Sequence, residues 1–302
     1  MHVFVTGATG WVGSAVVPEL LAAGHEVVGL ARSDASAAKL AAAGATALRG
    51  SLDDLDVLRA GAADADGVIH LAFIHDFERM ADSIPVDRAA IETLADTLAG
   101  TGKPLLVTSG TAAAGSGRVT SEQDAGDLDG PGRGRIGGER AALAAVERDV
   151  RSIVVRLSPT VHGAGDPGFV AILVAAARKA GSADHVGDGA NRWAAVHRSD
   201  AARLYRLALE SAPAGSVLHA VGEEGVPTRA IAEAIGSGLG LPTASIEAAE
   251  AQQRLGFVGG FFALDVPSSS ASTRALLGWE PSGPTLLEDL AGDSYFAAPV
   301  PG

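Results

Sequence analysis

The chain is 302 residues long, 47% hydrophobic, free of cysteine and formally charged −13, enough length for one large α/β domain or two modest ones around a sizeable core. The acidic balance, with no block of Lys or Arg to reverse it locally, excludes nucleic-acid binding over a broad surface, and the missing cysteines exclude disulfides, thiolate nucleophiles and Cys-based zinc sites. No basic-then-apolar leader opens the sequence, and the longest apolar stretch, near Phe169 to Ala177, is far shorter than the ~20 residues a membrane span needs, so the expectation is a cytoplasmic protein with no membrane contact.

The first fourteen residues, MHVFVTGATGWVGS, run from an apolar strand, His2 to Val5, into glycines at Gly7, Gly10 and Gly13. A dinucleotide site needs glycines there: one for a tight turn, one for approach of backbone amides to a pyrophosphate, one for close helix–strand packing. The phosphates then rest on the positive end of the following helix. That helix carries Val12, Val16, Leu20 and Leu21 on one stripe and stops at Gly24, before a second strand, His25 to Ala31. Ser14 rather than Lys follows Gly13, which rejects a P-loop, and no G-x-S-x-G elbow occurs in the chain.

At the end of the second strand, where an acidic residue would bind a ribose 2′-hydroxyl, stand Arg32 and Ser33, with Lys39 on the next helix. A planar guanidinium and a hydroxyl suit a 2′-phosphate, so the reading is NADP(H) in preference to NAD(H). A solvated strand-end arginine is the alternative, and Asp34 stands close by. A helix from about Ala35 to Ala43 leads to a short strand, Thr46 to Leu48, and a further strand covers Val68 to Leu71. Such alternation implies an α/β fold, a Rossmann-type doubly wound parallel sheet with its ligand crevice outside the carboxyl ends of the strands. Ser51, Leu52, Leu71, Ala72 and Phe73 then face the cofactor. His75 and Asp76 follow at the same edge, His75 as a proton shuttle or as an ordinary solvent-facing imidazole.

A strand from Lys103 to Ser109 delivers Thr108, Ser109, Gly110 and Thr111 to the crevice. The Gly- and Asp-rich stretch after it reads as a surface loop that can form a mobile cover over the site. RIGGERAALAAVERD is helical by spacing, with Gly137 and Gly138 weakening its first turn by about 1 kcal/mol each. A buried strand, Ser152 to Leu157, ends in SPTVHG.

These segments resemble the short-chain dehydrogenase/reductase superfamily in its extended branch of nicotinamide-dependent epimerases, dehydratases and reductases. The resemblance rests on TGATGWVG at Thr6 to Gly13, GSLDD at Gly50 to Asp54, HLA at His70 to Ala72 and TSG at Thr108 to Gly110. It continues in RLSPTVHG at Arg156 to Gly163, GDGANRWAAVHRSDAARL at Gly187 to Leu204 and LLGWEP at Leu276 to Pro281. It implies that Thr9, Trp11, Val12, Thr108, Ser109, Ser158 and Val161 join the glycines in contacting the cofactor, and that a homodimer through paired helices forms, by analogy. It also implies a dinucleotide-binding domain over 1–160, to which about 190–212 returns, and a smaller, partly interleaved substrate region over 161–302.

The chain departs from the family at its catalytic pair. The family Tyr position falls on Arg135 and the Lys position, four residues on, falls on Glu139; the second family serine falls on Gly110, leaving Ser109 and Thr111 as nearby hydroxyls. A guanidinium, with a pKa above ~12, does not donate a proton near neutral pH. Arg135 can act instead as a fixed charge on an oxyanion or a substrate carboxylate or phosphate, with Glu139 holding it or binding ribose hydroxyls; an exposed i, i+4 pair is the bland reading. Ser109, Thr111, His75 or His162 then relays the proton.

In the second half, Phe169 to Lys179 reads as a mostly buried helix. Arg192 falls where nucleotide-sugar members carry a phosphate-gripping arginine, or closes a salt bridge. PTRAIAEAIGSGLGL reads as a helix begun by Pro227 and Thr228 and ended by Gly238, and FVGGFFALDVPSSS as a lid-like segment whose Phe257, Phe261 and Phe262 line a pocket or pack in the core. None of the eight histidines is paired at H-x-x-x-H spacing, so no metal is indicated. Three functions follow: an NADP-dependent oxidoreductase on a small or medium carbonyl or imine-like substrate, a sugar-nucleotide epimerase or dehydratase, or a non-catalytic NADP(H)-binding redox sensor.

Overall fold

The computed structural model of the chain describes residues 1–74, 80–127, 129 and 132–297. Its strands are β1 (His2–Thr6), β2 (Glu26–Ala31), β3 (Thr46–Arg49), β4 (Gly67–His70), β5 (Pro104–Gly110), β6 (Arg151–Leu157), β7 (Thr160–His162), β8 (Ala183–Val186), β9 (Arg192–His197), β10 (Val217–Ala220), β11 (Glu223–Pro227) and β12 (Thr243–Ile246). Its helices are α1 (Gly13–Ala22), α2 (Asp34–Ala42), α3 (Leu55–Ala63), α4 (Met80–Leu98), α5 (Arg133–Ala144), α6 (Phe169–Ala180), α7 (Arg198–Ser211), α8 (Thr228–Leu239), α9 (Ala251–Leu255), α10 (Val258–Phe262), α11 (Ala271–Leu277) and α12 (Leu286–Ala291).

Seven parallel strands in the order β10-β6-β5-β4-β1-β2-β3 form the central sheet. The fold is the expected Rossmann-type α/β arrangement. Its inner strands are mostly apolar and buried because helices cover both faces, and the period of two sends alternate side chains to opposite sides. Val3, Val5, Leu106, Ile153 and Val155 meet α1 and α7, around Leu20, Leu204 and Tyr205, on one face. Phe4, Leu105, Val107 and Val154 meet α3, α4 and α5, around Leu58, Ile91, Leu94 and Ala142, on the other. The return of the chain to this sheet runs past α7 to β10, whose Leu218 pairs with Val155 of β6.

A third core lies in the second half, where β7, β9 and β11 form a three-stranded sheet and β8 pairs with β12. Trp193, Phe262, Val258, Leu173 and Ile235 are buried in it.

Several elements differ from the sequence reading. The 19-residue α4 was not anticipated, although its buried Ala90, Ile91, Leu94, Ala95 and Leu98 follow helical spacing. The helix expected to stop at Gly238 runs to Leu239 and ends at Gly240, which is left-handed at φ +66°; Gly238 is small because the Phe296 ring lies where its Cβ would project. The described part of the Gly- and Asp-rich loop is pinned rather than loose. Gly117 N–H donates to Asp265 O at 2.7 Å, Ser269 N–H to Thr120 O at 2.8 Å, and both Thr273 N–H and its hydroxyl to Glu122, at 2.8 and 2.7 Å. Likewise the segment read as lid-like contains α10, and Phe262 is fully buried edge-to-face on Trp193 at 5.1 Å.

Candidate functional site

The glycine turn sits at the carboxyl ends of β1 and β4, where the strand order changes direction. Gly7 takes φ +67°, and a Cβ on it would lie 2.6 Å from Ala72 N and 2.8 Å from Ala72 Cα. A Cβ on Gly13 would fall on the Gly7 carbonyl oxygen and 2.8 Å from Ala8 Cα, so α1 seats directly on the turn. Gly10 is exposed, and its N–H donates to Gly7 O at 2.9 Å. No side chain caps α1; the Ser14 and Ala15 amides bond back to Gly10 O and Val12 O at 2.9 Å, which leaves the Trp11, Val12 and Gly13 amides for an external acceptor. Half-buried Thr9, Trp11 and Val12 complete the turn. A cradle of backbone closed to any Cβ, beside an uncapped helix start, is the donor set a pyrophosphate needs.

Around the turn, the Trp11 indole N–H donates to Val161 O at 2.7 Å, which joins β7 to the turn and occupies that carbonyl. Arg32 is exposed at the end of β2 and makes no ion pair among the described residues. Ser33, expected to meet the same phosphate, instead caps α2: its Oγ accepts from Ser36 N–H at 3.2 Å while its own N–H donates to Ser36 Oγ at 3.0 Å. Arg49 stands beside Ala31 in the β2–β3 register and pairs with Asp34 at 3.1 Å. The Ser51 hydroxyl donates to Asp53, and Leu52 packs into the core.

Behind β4 and β5 lies a buried polar chain that the sequence did not disclose. Thr6 Oγ1 is 2.9 Å from His70 Nδ1, and His70 Nε2 is 3.2 Å from Asp87 Oδ1. Asp87 Oδ2 is 3.3 Å from Arg135 Nη1, and Arg135 Nη2 donates to Thr108 O at 2.6 Å. The Arg135 guanidinium also lies 4.0 Å from the centre of the Phe73 ring. Burial lowers the Arg135 pKa from its ordinary value, and Asp87 opposes that shift. Thr108 is spent within the protein: its hydroxyl donates to His70 O at 2.8 Å and meets the Tyr205 hydroxyl at 2.7 Å. Ser158 is spent likewise, donating to Ala220 O at 2.7 Å.

Glu139 corrects the expectation that it steadies Arg135. Arg156 of β6 faces it inside the fold, with Nη2 2.7 Å from Oε2 and Nε 3.0 Å from Oε1, and both side chains are 3% exposed. A buried carboxylate is costly without a cation, and Arg156 supplies it. Arg135 and Glu139 thus belong to two separate ion pairs. The hydroxyls of Ser109 and Thr111 are buried and lack hydrogen-bond partners among the described residues. His75 lies outside the described residues.

On the second-half wall, Arg192 is held by Asp265, Nε to Oδ1 at 3.0 Å and Nη2 to Oδ2 at 2.9 Å, so the salt-bridge alternative is the observed one. Phe169 packs on Trp193, Phe257 and Phe261 at 5.7, 6.0 and 5.7 Å. The same apolar cluster includes Ala112, next to Thr111. His162 is fully buried, its Nδ1 2.6 Å from Asp289 Oδ2 and its Nε2 3.8 Å from Glu223 Oε2, which places it inside the wall rather than on the cleft.

Burial pulls the His162 imidazole below the ordinary histidine range, although Asp289 opposes this. A folded pKa below the unfolded value means that its contribution to stability is complete above ~6.5 and is lost as the pH falls through the folded value. Glu223, raised by burial, acts with the opposite sign in the carboxylate range. Urea midpoints are therefore expected to fall between pH 7.5 and 5.5, and to fall less in His162→Gln; equal slopes would refute the assignment.

Among the described residues no helix is long and apolar enough to cross a membrane, and no group of three or more His, Asp or Glu side chains is arranged to hold a metal. Uncharacterized protein C2A9.02 of Schizosaccharomyces pombe is 47% identical over 297 residues, 98% of this chain and all of its own. Uncharacterized protein YLL056C of Saccharomyces cerevisiae is 47% identical over 292 residues, 96% and 98% of the two chains. Among solved structures, MoeE5 in complex with UDP-glucuronic acid and NAD is 25% identical with a TM-score of 0.76, covering 96% of this chain and 97% of its own. The UDP-glucose 4-epimerase of Thermus thermophilus, in complex with NAD, shares the fold at 21% identity and a TM-score of 0.77, covering 99% and 100%. The model of the NAD dependent epimerase/dehydratase family matches residues 3–221. With that span covering both β1 and β10 of the nucleotide-binding sheet, the chain belongs to the NAD dependent epimerase/dehydratase family.

Proposed function

We propose that the protein is an NADP(H)-dependent oxidoreductase that reduces the carbonyl or imine-like carbon of a small, largely apolar substrate. The observation that carries this reading is the contrast at the site: an intact glycine cradle beside Arg135 and Glu139, each engaged in its own ion pair. Gly7, Gly10 and Gly13 would hold the pyrophosphate, and unpaired Arg32 the 2′-phosphate. A reduced nicotinamide supplies hydride when bound. Epimerase or dehydratase chemistry on a sugar hydroxyl needs a base to remove a proton. Arg135 is no such base, Glu139 is committed to Arg156, and burial raises the pKa of the hidden Tyr205 phenol.

For reduction, the unpartnered Ser109 and Thr111 hydroxyls are the groups suited to hydrogen-bond the acceptor atom, and water entering with the substrate would supply the proton that completes the product. The Arg135 cation, held by Asp87 and Thr108 O, favours negative charge developing beside it. Substrate class follows from the wall. Arg192, neutralised by Asp265, is a poor grip for a diphosphate, whereas Phe169, Phe257 and Phe261 offer aromatic contact.

Calorimetry is expected to give NADPH binding about tenfold or more tighter than NADH, the magnitude of one charged hydrogen-bonded contact. A consumption screen is expected to give steady NADPH oxidation with aromatic or aliphatic ketones, aldehydes or imines. Tight NADPH binding without turnover of any of them would favour a redox sensor, and a rearranged nucleotide sugar with no net cofactor change would favour an epimerase.

A further inference from the structure

Three arginines in or behind the cleft each have a carboxylate: Arg135 has Asp87, Arg156 has Glu139 and Arg192 has Asp265. Arg198 has none among the described residues. It opens α7 directly after β9, and β9 pairs with β7, the strand whose Val161 carbonyl receives the Trp11 indole. The Arg198 guanidinium lies 4.2 Å from the centre of the Trp11 ring and donates from Nη2 to Ser14 Oγ at 2.9 Å. Its Nε is buried with no hydrogen-bond partner among the described residues. The half-buried cation therefore sits over the first turn of α1, one residue beyond Gly13, with an aromatic face beneath it and no counter-charge.

Half-burying a cation costs free energy unless an anion meets it, and the two residues Arg198 touches, Trp11 and Ser14, flank the Val12 and Gly13 amides, which make no backbone bond among the described residues and are themselves suited to an anion. We propose that Arg198 supplies the counter-charge to the pyrophosphate of the dinucleotide, stacked on Trp11 so that its planar fork is aimed before the ligand arrives. A guanidinium suits this task better than an ammonium because it stacks and presents parallel N–H donors. This inference rests on the dinucleotide reading above.

Calorimetric titration of NADP⁺ and of ADP-ribose, which keeps the pyrophosphate and lacks nicotinamide, tests it on the full chain. Arg198→Met is expected to weaken both about tenfold to a hundredfold, the loss of one charge-assisted contact, and to flatten the dependence of affinity on salt. Arg198→Lys is expected to fall in between. Trp193 and Trp279 are fully buried, so Trp11 emission gives a second readout: NADP⁺ should change it in the unmodified protein and not in Trp11→Phe. Variants at Arg198 that melt at the unmodified temperature and bind both ligands within twofold of it would overturn the inference alone. An unmodified chain that binds neither ligand would remove the dinucleotide reading, and the inference with it.

Discussion

Glu139→Ala is expected to lower the free energy of unfolding by about 3–5 kcal/mol, the range found when one partner of a buried ion pair is deleted. Arg156 is 2% exposed, and both its Nε and its Nη2 donate to Glu139. Its remaining neighbours are Asp124 O at 3.0 Å and His219 Nε2 at 3.5 Å, neither of which carries compensating charge. Urea unfolding followed by circular dichroism measures the change, and a loss under about 1 kcal/mol would mean that the pair is not buried as described. Glu139→Gln keeps an acceptor and should lose less. Glu139→Lys sets a second cation against Arg156 and should lose more. A lysine at position 139, alone or with Arg135→Tyr, is therefore tolerated only if Arg156 is changed with it.

Gly13→Ala is expected to weaken NADP⁺ binding about a hundredfold, about 2.7 kcal/mol, and to take about 1–3 kcal/mol from stability, the usual cost of overpacking. The added methyl meets the Gly7 carbonyl and the Ala8 backbone, which yield only if α1 backs away from the turn. Any such shift moves the amides meant to receive phosphate. Gly24→Ala is the matched control. Gly24 has φ +83° and open space where a Cβ would go, so that substitution carries backbone strain of about 1–2 kcal/mol and should leave affinity alone. Calorimetry and thermal melts on the two variants separate the effects. Equal affinities would show that the turn does not hold the nucleotide.

Local pattern alone carried much of this protein. The apolar run from His2 to Val5, the three glycines and the Val16–Leu20 stripe identify the start of a doubly wound sheet, because a buried parallel strand, a tight turn and an amphipathic helix each impose a short-range period. The resemblance also sets Arg135 and Glu139 at the family Tyr and Lys positions, by residue type at a fixed spacing. What those two residues touch is not legible in the sequence. Four-residue spacing on a helix pairs Arg135 with Glu139 on paper, whereas the fold offers Asp87 from α4 to one and Arg156 from β6 to the other.

The same limit applies to Arg192, whose alternatives were resolved by Asp265, 73 positions away, and to Thr108 and Ser158, whose hydroxyls serve the sheet. Sequence spacing determined which elements form and where their glycines must lie, since those depend on neighbours within a few residues. Only the tertiary structure decided which charges are neutralised, because a buried ion takes whichever opposite charge the packed sheets and helices bring within about 4 Å of it, and that partner is remote along the chain.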